Sequence, residues 1–329
     1  MKKILGIGNA LVDVMTPIND DSILKKFGLP KGSMQLVDNE KSSEIKSGTS
    51  GFKTSLASGG SAANTIHGLG KLGARAGYIG SVGKDETGVF FESDMKKAGI
   101  KTYLYKRETE TGTAVALISD DSERTFATHL GAAIELNPSE LKASQFKPFD
   151  ILYLEGYLIL DKKLVEEACI LAKKNGMEIA IDLASFNVVD SNLKNFRYII
   201  DKYADIIFAN EDEARSYTGL EPGAAVKKLS SKGKTAIVKT GKDGSLIMRG
   251  DEFVRIGILP VKCIDTTGAG DLYAAGFLYG LSKGLSLDKC GLIGAILAGN
   301  VIQVVGAKIP GRKWPGIRKR IEAVCKGKK

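Results

Sequence analysis

The stretch that decides the fold of this 329-residue chain is DTTGAGDLYAAGFL, residues 265–278. Its second half is apolar on most sides, which predicts a buried helix. The small residues Gly268, Ala269 and Gly270 leave backbone N–H groups uncovered where that helix begins. Because these donors lack helical partners and lie at the positive end of the helix dipole, the turn predicts an anion-binding site.

Asp271, in the first turn of this helix, has two interpretations. A carboxylate there compensates the helix dipole, a contribution of about 0.3–1 kcal/mol. A carboxylate beside an anion site also repels the anion, so a purely structural acid is poorly placed. If Asp271 faces a substrate hydroxyl, it accepts that proton while the amides neutralise charge on a transferring phosphoryl group. We therefore favour phosphoryl transfer.

Outside this stretch, short apolar runs alternate with amphipathic helical patterns. The runs are continuously apolar, which is typical of parallel strands covered on both faces. They are Ile4–Ile7, Tyr78–Val82, Ile151–Leu154, Ile179–Ile181, Ile206–Ala209 and Ala236–Val238. Helical patterns between them include residues 62–72 and 161–174. This order predicts the α/β class, with a doubly wound, mostly parallel sheet flanked by helices and ligands bound beyond the carboxyl ends of its strands.

Two regions interrupt the alternation. Residues 14–58 are polar, and residues 109–131 contain two predicted strands, Ala114–Ser119 and Thr125–Thr128, around a turn at 120–123. Neither region fits a β–α–β unit. We predict that 14–58 and 109–131 form a small β-rich lid, and that 1–13, 59–108 and 132–329 form one large α/β domain.

Charge and composition exclude several classes. The chain carries 47 basic and 38 acidic side chains, but eight basic residues and one acid lie in residues 311–329. The rest is nearly neutral, so nucleic acid is not expected as a partner, and the basic tail is interpreted as a solvated helix face rather than a binding arm.

Polar residues interrupt every long apolar run, so we expect no membrane segment and a cytoplasmic location. The four cysteines form no C-x-x-C pair.

Residues 265–271 resemble the signature of the ribokinase/adenosine kinase family, also called the phosphofructokinase B-type carbohydrate kinases. Three further motifs occur in the order and spacing of that family: GGSAAN at 59–64, the glycine-rich stretch 80–88, and Asn-x-x-Glu at 210–213. The resemblance extends from about Lys3 to Pro310. It implies a ribokinase-like fold and an ATP-dependent phosphotransferase that uses Mg²⁺, with ATP and substrate bound in the large domain.

The resemblance also implies catalytic and substrate-binding roles. Asp271 would be the catalytic base, and Gly268, Ala269 and Gly270 the anion hole. Asp13 would accept hydrogen bonds from two vicinal sugar hydroxyls, although a carboxylate at a strand end is also a common turn former. The substrate-binding residues implied in this way are Asp13, Gly59, Gly60, Asn64, Phe126, Thr128 and Phe186.

Binding of ATP and its phosphates is implied for seven residues. They are Arg124, Asn210, Glu213, Lys239, Gly241, Gly244 and Asn300. Asn210 and Glu213 would organise Mg²⁺ through water, while their spacing alone predicts a helix capping box. Two of these assignments have structural alternatives. Arg124 could lie on the surface, and glycines 241 and 244 could form a hairpin turn. A monovalent cation such as K⁺ near Asp265 and Thr267 is a family expectation that the sequence neither supports nor excludes.

Four segments favour a nucleoside as the substrate. Sugar kinases of the family usually carry lysine and glycine after the double glycine, whereas Ser61 and Ala62 stand here. Residues 29–37 and 124–130 resemble the lid of the adenosine kinase branch, and 183–186 resemble the segment that places an aromatic ring, here Phe186, against a purine. Two other features favour a sugar instead, because Lys239 and the pair Lys84-Asp85 also occur in sugar kinases of the family.

We therefore predict phosphorylation of the 5′-hydroxyl of adenosine to give AMP. The alternative is a kinase for ribose, fructose or a related sugar on the same fold, and the third candidate is a non-catalytic, kinase-like binding protein. In this family, the lid either covers the site of a monomer or joins two subunits of a dimer. The sequence therefore allows both a monomer and a lid-mediated homodimer.

Overall fold

The continuously apolar runs are strands, and the amphipathic segments between them are helices. The computed structural model describes residues 1–121 and 123–327. The strands are β1 (Ile4–Ile7), β2 (Leu11–Pro17), β3 (Met34–Leu36), β4 (Ser55–Gly59), β5 (Ala76–Gly83), β6 (Lys101–Arg107), β7 (Thr111–Ile118), β8 (Arg124–Gly131), β9 (Ile151–Glu155), β10 (Glu178–Asp182), β11 (Ile206–Asn210), β12 (Thr235–Lys239), β13 (Ser245–Arg249) and β14 (Glu252–Ile256).

Twelve α-helices accompany these strands in the described ranges. They are α1 (Ser22–Lys26), α2 (Asn39–Gly48), α3 (Ser61–Lys71), α4 (Glu86–Lys97), α5 (Ala143–Phe146), α6 (Lys162–Lys174), α7 (Phe186–Tyr203), α8 (Glu211–Thr218), α9 (Pro222–Leu229), α10 (Ala269–Ser282), α11 (Leu287–Val301) and α12 (Trp314–Cys325).

Nine strands form the main sheet, in the order β14-β13-β12-β11-β10-β9-β1-β5-β6. The seven strands from β12 to β6 are parallel, and the β13–β14 hairpin adds two antiparallel strands at one edge. One apolar cluster includes Ile4 and Phe208, and a second includes Leu5 and Ile207, which point to the other face. This double burial explains why the strands lack alternating polarity, and the predicted doubly wound α/β architecture is confirmed.

Five strands form a second, smaller sheet in the order β3-β8-β7-β2-β4. It contains the segments predicted as a lid, and its strand β2 already begins at Leu11, ahead of the predicted boundary at residue 14. Ser122, which belongs to the turn predicted at 120–123, lies outside the described residues. The small sheet has its own apolar cluster, which includes Phe27, Ile45 and Leu117.

The helix that follows the anion-binding turn is buried as predicted. α10 packs between α3 and α11, and Leu272, Phe277 and Leu278 are each at most 2% exposed. Because helices lie on two of its sides, α10 needs no wide polar face. Its amino terminus is thereby held at the edge of the main sheet, next to the first turn of α3.

The basic tail forms an amphipathic helix. In α12, Trp314, Ile317 and Ile321 are buried, whereas Arg318 and neighbouring basic residues are exposed. The predicted solvated helix face is therefore confirmed for residues 314–325, while Lys328 and Lys329 lie outside the described residues. No helix within residues 1–121 and 123–327 is long and apolar enough to cross a membrane.

Candidate active site

At one position, the turn before α10 has a backbone conformation that only glycine adopts without strain. Gly268 caps the helix with a φ of 74°, and a Cβ there would lie 2.5 Å from the Cβ of Ala307. A side chain would meet both a conformational penalty and a steric clash. Beside it, a Cβ on Gly270 would lie 3.0 Å from the Nζ of Lys239. Small residues therefore let a cation and the first helical amides face the same space.

Two side chains from the first turn of α3 hold the carboxylate of Asp271. Ser61 Oγ donates to its Oδ1 at 2.8 Å, and Asn64 Nδ2 donates to its Oδ2 at 3.0 Å. Burial raises the pKa of Asp271 to about 6, against the lowering effect of the hydrogen bonds from Asn64 and Ser61. An oriented carboxylate with this pKa is ionised at neutral pH and is matched to accepting a proton.

A row of polar residues ends four neighbouring parallel strands. Glu155, Asp182, Asn210 and Lys239 are the last residues of β9, β10, β11 and β12. Parallel strands bring their carboxyl ends to one edge of the sheet, which is where doubly wound folds bind ligands. Sequence reasoning selected Asn210 and Lys239 but missed Glu155 and Asp182, although both directly follow predicted strands.

Lys239 lies between two buried carboxylates. Its Nζ donates to Asp182 Oδ2 at 3.1 Å, and Asp182 and Glu213 are 4% and 3% exposed. Burial acts to lower the pKa of Lys239, but the charges of Asp182 and Glu213 outweigh it and raise that pKa. The lysine is therefore a permanent cation beside the anion-binding turn.

Asn210 and Glu213 form the capping box that their spacing predicts. Asn210 Oδ1 accepts from the Glu213 backbone N–H at 2.8 Å, and Glu213 Oε2 accepts from the Asn210 backbone N–H at 2.8 Å. Asn210 Nδ2 also donates to Glu213 Oε1 at 2.7 Å. Burial raises the pKa of Glu213 to about 7, which Lys239 partly opposes. No group of three or more His, Cys, Asp or Glu side chains in the described ranges is arranged for a metal ion.

Asp13 lies on β2 against the double glycine. A Cβ on Gly59 would overlap the Asp13 carboxylate, and a Cβ on Gly60, whose φ is 93°, would overlap the carbonyl oxygen of Asn9. The glycines thus let the turn into α3 pass directly over Asp13. Burial raises the pKa of Asp13 to about 6, while the charge of Lys308 lowers it and that of Asp271 raises it.

Glu155 joins two segments of this site. Its carboxylate accepts hydrogen bonds from Asn9 N at 2.9 Å, from Asn9 Nδ2 at 2.8 Å and from Ala62 N at 2.8 Å. Glu155 is 2% exposed, and burial raises its pKa to about 7. A buried acid with three donors fixes the loop after β1 to the amino terminus of α3.

Arg124 is buried against the anion-binding turn and is not a surface arginine. Its Nη1 pairs with Asp265 and donates to Thr267 Oγ1 at 3.1 Å. Within the described residues, its buried Nε and Nη2 have no hydrogen-bond partner. Asp265 also accepts from Thr267 N at 2.8 Å and from Gly306 N at 2.6 Å. Because these donors already engage Asp265, the structure offers no support for a monovalent cation there.

Two cavities border this arrangement. The first, of about 430 Å³, is lined by Lys239, Gly241, Gly244, Gly270 and a set of apolar residues. The turn that contains Gly241 and Gly244 does join an antiparallel pair, β12 and β13. The hairpin interpretation of these glycines and their place beside a cavity are therefore compatible.

The second cavity, of about 740 Å³, lies between the two sheets. Gly60, Ser61 and Glu155 line it from the main domain, and Thr128 lines it from strand β8 of the small sheet. Its apolar lining consists of Leu11, Met34, Leu36, Leu130, Ala133, Ile134, Leu158, Leu160, Leu164 and Val188.

Nine of the residues predicted for binding line neither cavity: Asp13, Gly59, Asn64, Arg124, Phe126, Phe186, Asn210, Glu213 and Asn300. Phe186 is 47% exposed, and its neighbours Ser185 and Asn187 line the second cavity instead. Phe126 shares a strand face with Thr128, as the alternation predicts, but lies beyond the cavity. Asn300 donates to the carbonyl of Ile296 within its own helix.

Comparison with known proteins places this geometry among kinases. The sequence model of the pfkB family carbohydrate kinases matches residues 31–314. Adenosine kinase of Saccharomyces cerevisiae is 30% identical, over 93% of this chain and 96% of that protein. The structure of a probable sugar kinase from Rhizobium etli has a TM-score of 0.88, 32% identity and 98% coverage of both chains. Adenosine kinase from Sinorhizobium meliloti has a TM-score of 0.86 and 34% identity, over 97% of this chain and 99% of the other.

Proposed function

This chain belongs to the pfkB family of carbohydrate kinases, and we propose that it transfers the γ-phosphoryl group of ATP to the 5′-hydroxyl of adenosine. The observation that carries the nucleoside proposal is the cavity between the two sheets. At about 740 Å³, with ten apolar side chains in its lining, it offers room and an apolar surface for a base beside the sugar. A monosaccharide alone would leave much of that surface unused.

ATP would occupy the smaller cavity and present its phosphates to the anion-binding turn. That cavity borders Gly270, while the larger one borders Ser61, whose hydroxyl donates to Asp271. Asp271 would therefore accept the proton of the attacking hydroxyl. The amides at Gly268 to Gly270 and the ammonium of Lys239 would neutralise charge as the phosphoryl group moves.

Mg²⁺ is implied by the family, and the residues present fit it in its usual mode. Mg²⁺ keeps several waters and needs only one or two carboxylates besides the phosphates. Asp182 and Glu213 supply two buried carboxylates, and each Glu213 oxygen keeps a lone pair beyond its bond to Asn210. These residues would hold the ion through water, and the bound ion would neutralise phosphate charge.

The sugar of the substrate would lie on Asp13. Its carboxylate can accept hydrogen bonds from two hydroxyls, and Glu155 holds the adjoining Asn9 and Ala62 in place. The base would then contact Leu11, Leu130 and Ile134 in place of the predicted Phe186. Because the small sheet supplies Thr128 and Leu130, its closure over the substrate would exclude water from the reaction.

A sugar kinase is the second candidate. The similarity to a probable sugar kinase at 32% identity favours it, as does the polar cluster of Asp13, Asn9 and Glu155, which offers acceptors for several hydroxyls. A non-catalytic binding protein is less consistent with the intact base and anion-binding turn.

A panel assay of ADP release separates these candidates. Adenosine, inosine, ribose, fructose and fructose phosphates are offered in turn, and kcat/KM is compared. We expect adenosine to exceed ribose by at least about 10²-fold, since the base contributes binding energy that the sugar lacks. A higher kcat/KM for ribose or fructose would establish the sugar kinase, and no turnover with any acceptor would favour the binding protein.

A further inference from the structure

Lys308 follows α11 in a segment that is anchored on both sides. Before it, the backbone N–H of Gly306 donates to Asp265 Oδ2 at 2.6 Å. After it, Ile309 is buried, and its carbonyl accepts from Trp314 Nε1 at 3.1 Å. The backbone of Lys308 is therefore held at the rim of the anion-binding turn.

The same segment lies against the strand that carries Asp13. A Cβ on Gly306 would be 3.6 Å from the Cε of Met15, two residues after Asp13 on β2. Lys308 therefore lies where the anion-binding side of the site meets the hydroxyl-binding side. Neither the motifs nor the family resemblance assigns it a role.

The ammonium group of Lys308 is buried without a partner. Its Nζ forms no hydrogen bond with any atom of residues 1–121 or 123–327. A buried ammonium is costly unless nearby charge compensates it. An unsatisfied cation beside an active site therefore requires an explanation.

The charges of groups on four elements act on this ammonium. Asp13 on β2, Asp94 on α4 and Asp271 on α10 are negative, whereas Lys71 and the buried His67 on α3 are the basic neighbours. Burial lowers the pKa of His67 well below its usual value, so that imidazole is neutral and adds no positive charge at neutral pH. The carboxylates therefore provide the compensation.

These three carboxylates differ in their hydrogen bonds. Asp94 accepts from Ser58 Oγ at 2.6 Å, and Asp271 accepts from Ser61 and Asn64. Among the described residues, no donor reaches the carboxylate of Asp13, and the one cation that stabilises its charge is Lys308. Asp13 thus keeps its oxygens free for substrate hydroxyls and depends on Lys308 for its charge.

We infer that Lys308 is a positioning residue that keeps Asp13 ionised, so that Asp13 can accept hydrogen bonds from the hydroxyls of the acceptor substrate. The inference rests on the proposed function, in which Asp13 binds those hydroxyls. The charge state of Lys308 supports it. Burial lowers the pKa of Lys308 to about 8, with Asp94 and Asp13 acting to raise it, so the side chain is positive at neutral pH.

The sign of the effect follows from the pKa of Asp13. Burial raises that pKa to about 6, and Lys308 is the strongest influence that lowers it. Without the ammonium, the pKa of Asp13 rises further, and a larger fraction of the carboxyl is protonated at pH 6 to 7. A protonated carboxyl accepts fewer hydrogen bonds, so substrate affinity is lost at a higher pH.

The experiment measures the Kd of adenosine by calorimetry and its KM by ADP release, between about pH 5.5 and 8.5, for wild type, Lys308→Met and Lys308→Arg. Lys308→Met should weaken binding severalfold at pH 6, because the pKa of Asp13 rises above about 6 and less of the carboxyl is ionised, and should approach wild type at pH 8. Lys308→Arg keeps the charge and should restore the wild-type profile. In each case kcat at saturating adenosine should change less than KM.

Lys71→Met is the matched control, because it removes a lysine that faces Lys308 but is not among the groups that shift the pKa of Asp13. Its profile should coincide with wild type. If Lys308→Met weakens binding by the same factor at every pH, or if its profile coincides with wild type, the inference is wrong. Melting temperatures of both Lys308 variants distinguish a misfolded protein from a functional loss.

Failure of the proposed function is a separate result. If wild type phosphorylates ribose or fructose instead of adenosine, the nucleoside proposal fails, and the same pH series with that sugar still tests Lys308.

Discussion

The anion-binding side of the candidate site and its hydroxyl-binding side are built in different ways. The first is a contiguous stretch, residues 265–271, in which one positive-φ glycine and the following helix start present backbone amides. The second brings together Asp13, Gly60, Glu155 and Lys308 from distant parts of the chain. A backbone site tolerates little change, whereas a site of assembled side chains can change its substrate one residue at a time.

The largest expected effect comes from Asp271, the proposed base, which lies where the two sides meet. Asp271→Asn keeps the shape of the side chain but removes the proton acceptor. We expect kcat to fall by about 10²–10⁴-fold with adenosine affinity nearly unchanged, as measured by steady-state kinetics and calorimetry. Near-normal turnover would exclude Asp271 as the base.

Gly268→Ala tests the contiguous side. The new Cβ would lie 2.5 Å from that of Ala307, at a φ of 74° that alanine disfavours. Distortion of the amides should lower kcat by roughly 10²–10³-fold, with adenosine binding retained. Gly223→Ala, where a Cβ would meet nothing within 4 Å and φ is not positive, is the control and should leave kcat unchanged. Equal kinetics for the two variants would show that the turn does not bind the phosphoryl group.

Asp13→Ala tests the assembled side. Removal of the carboxylate should weaken adenosine binding by about 10²-fold or more, because two hydrogen bonds to a charged group are lost and each is worth about 1.5–3 kcal/mol. The Kd of 2′,3′-dideoxyadenosine, which lacks both hydroxyls, should barely change. An equal loss of affinity for adenosine and for 2′,3′-dideoxyadenosine would mean that Asp13 does not recognise the hydroxyls.

Ser61→Ala gives the smallest effect and tests where the two sides meet. The lost hydrogen bond at 2.8 Å is one of two that lower the pKa of Asp271, which burial has raised to about 6. The pKa of the base should therefore rise, and the acidic limb of the kcat profile should move to higher pH. Turnover should fall severalfold near pH 6 and little at pH 8. An unchanged acidic limb would show that Ser61 does not influence the base.

The main-sheet strands that the sequence predicts best are those buried on both faces. Strands β1, β5, β9, β10, β11 and β12 all contain a predicted apolar run. Strands β6, β13 and β14 were missed because they lie at or near the sheet edges, where exposed positions interrupt the apolar run. In the site, Phe186 was assigned by resemblance, but its position at the start of α7 leaves it half exposed.

The sequence by itself determined the glycine turn at 268–270, the buried helix that follows it and the doubly wound class, because these depend on residues that are neighbours along the chain. It also carried four motifs that identify the kinase family. Only the tertiary structure decided that Arg124 is buried on Asp265, that Glu155 holds Asn9 and Ala62, and that the charge of Lys308 lowers the pKa of Asp13. Such contacts join residues that no local spacing relates, and their energies depend on burial, which arises only when the chain has folded.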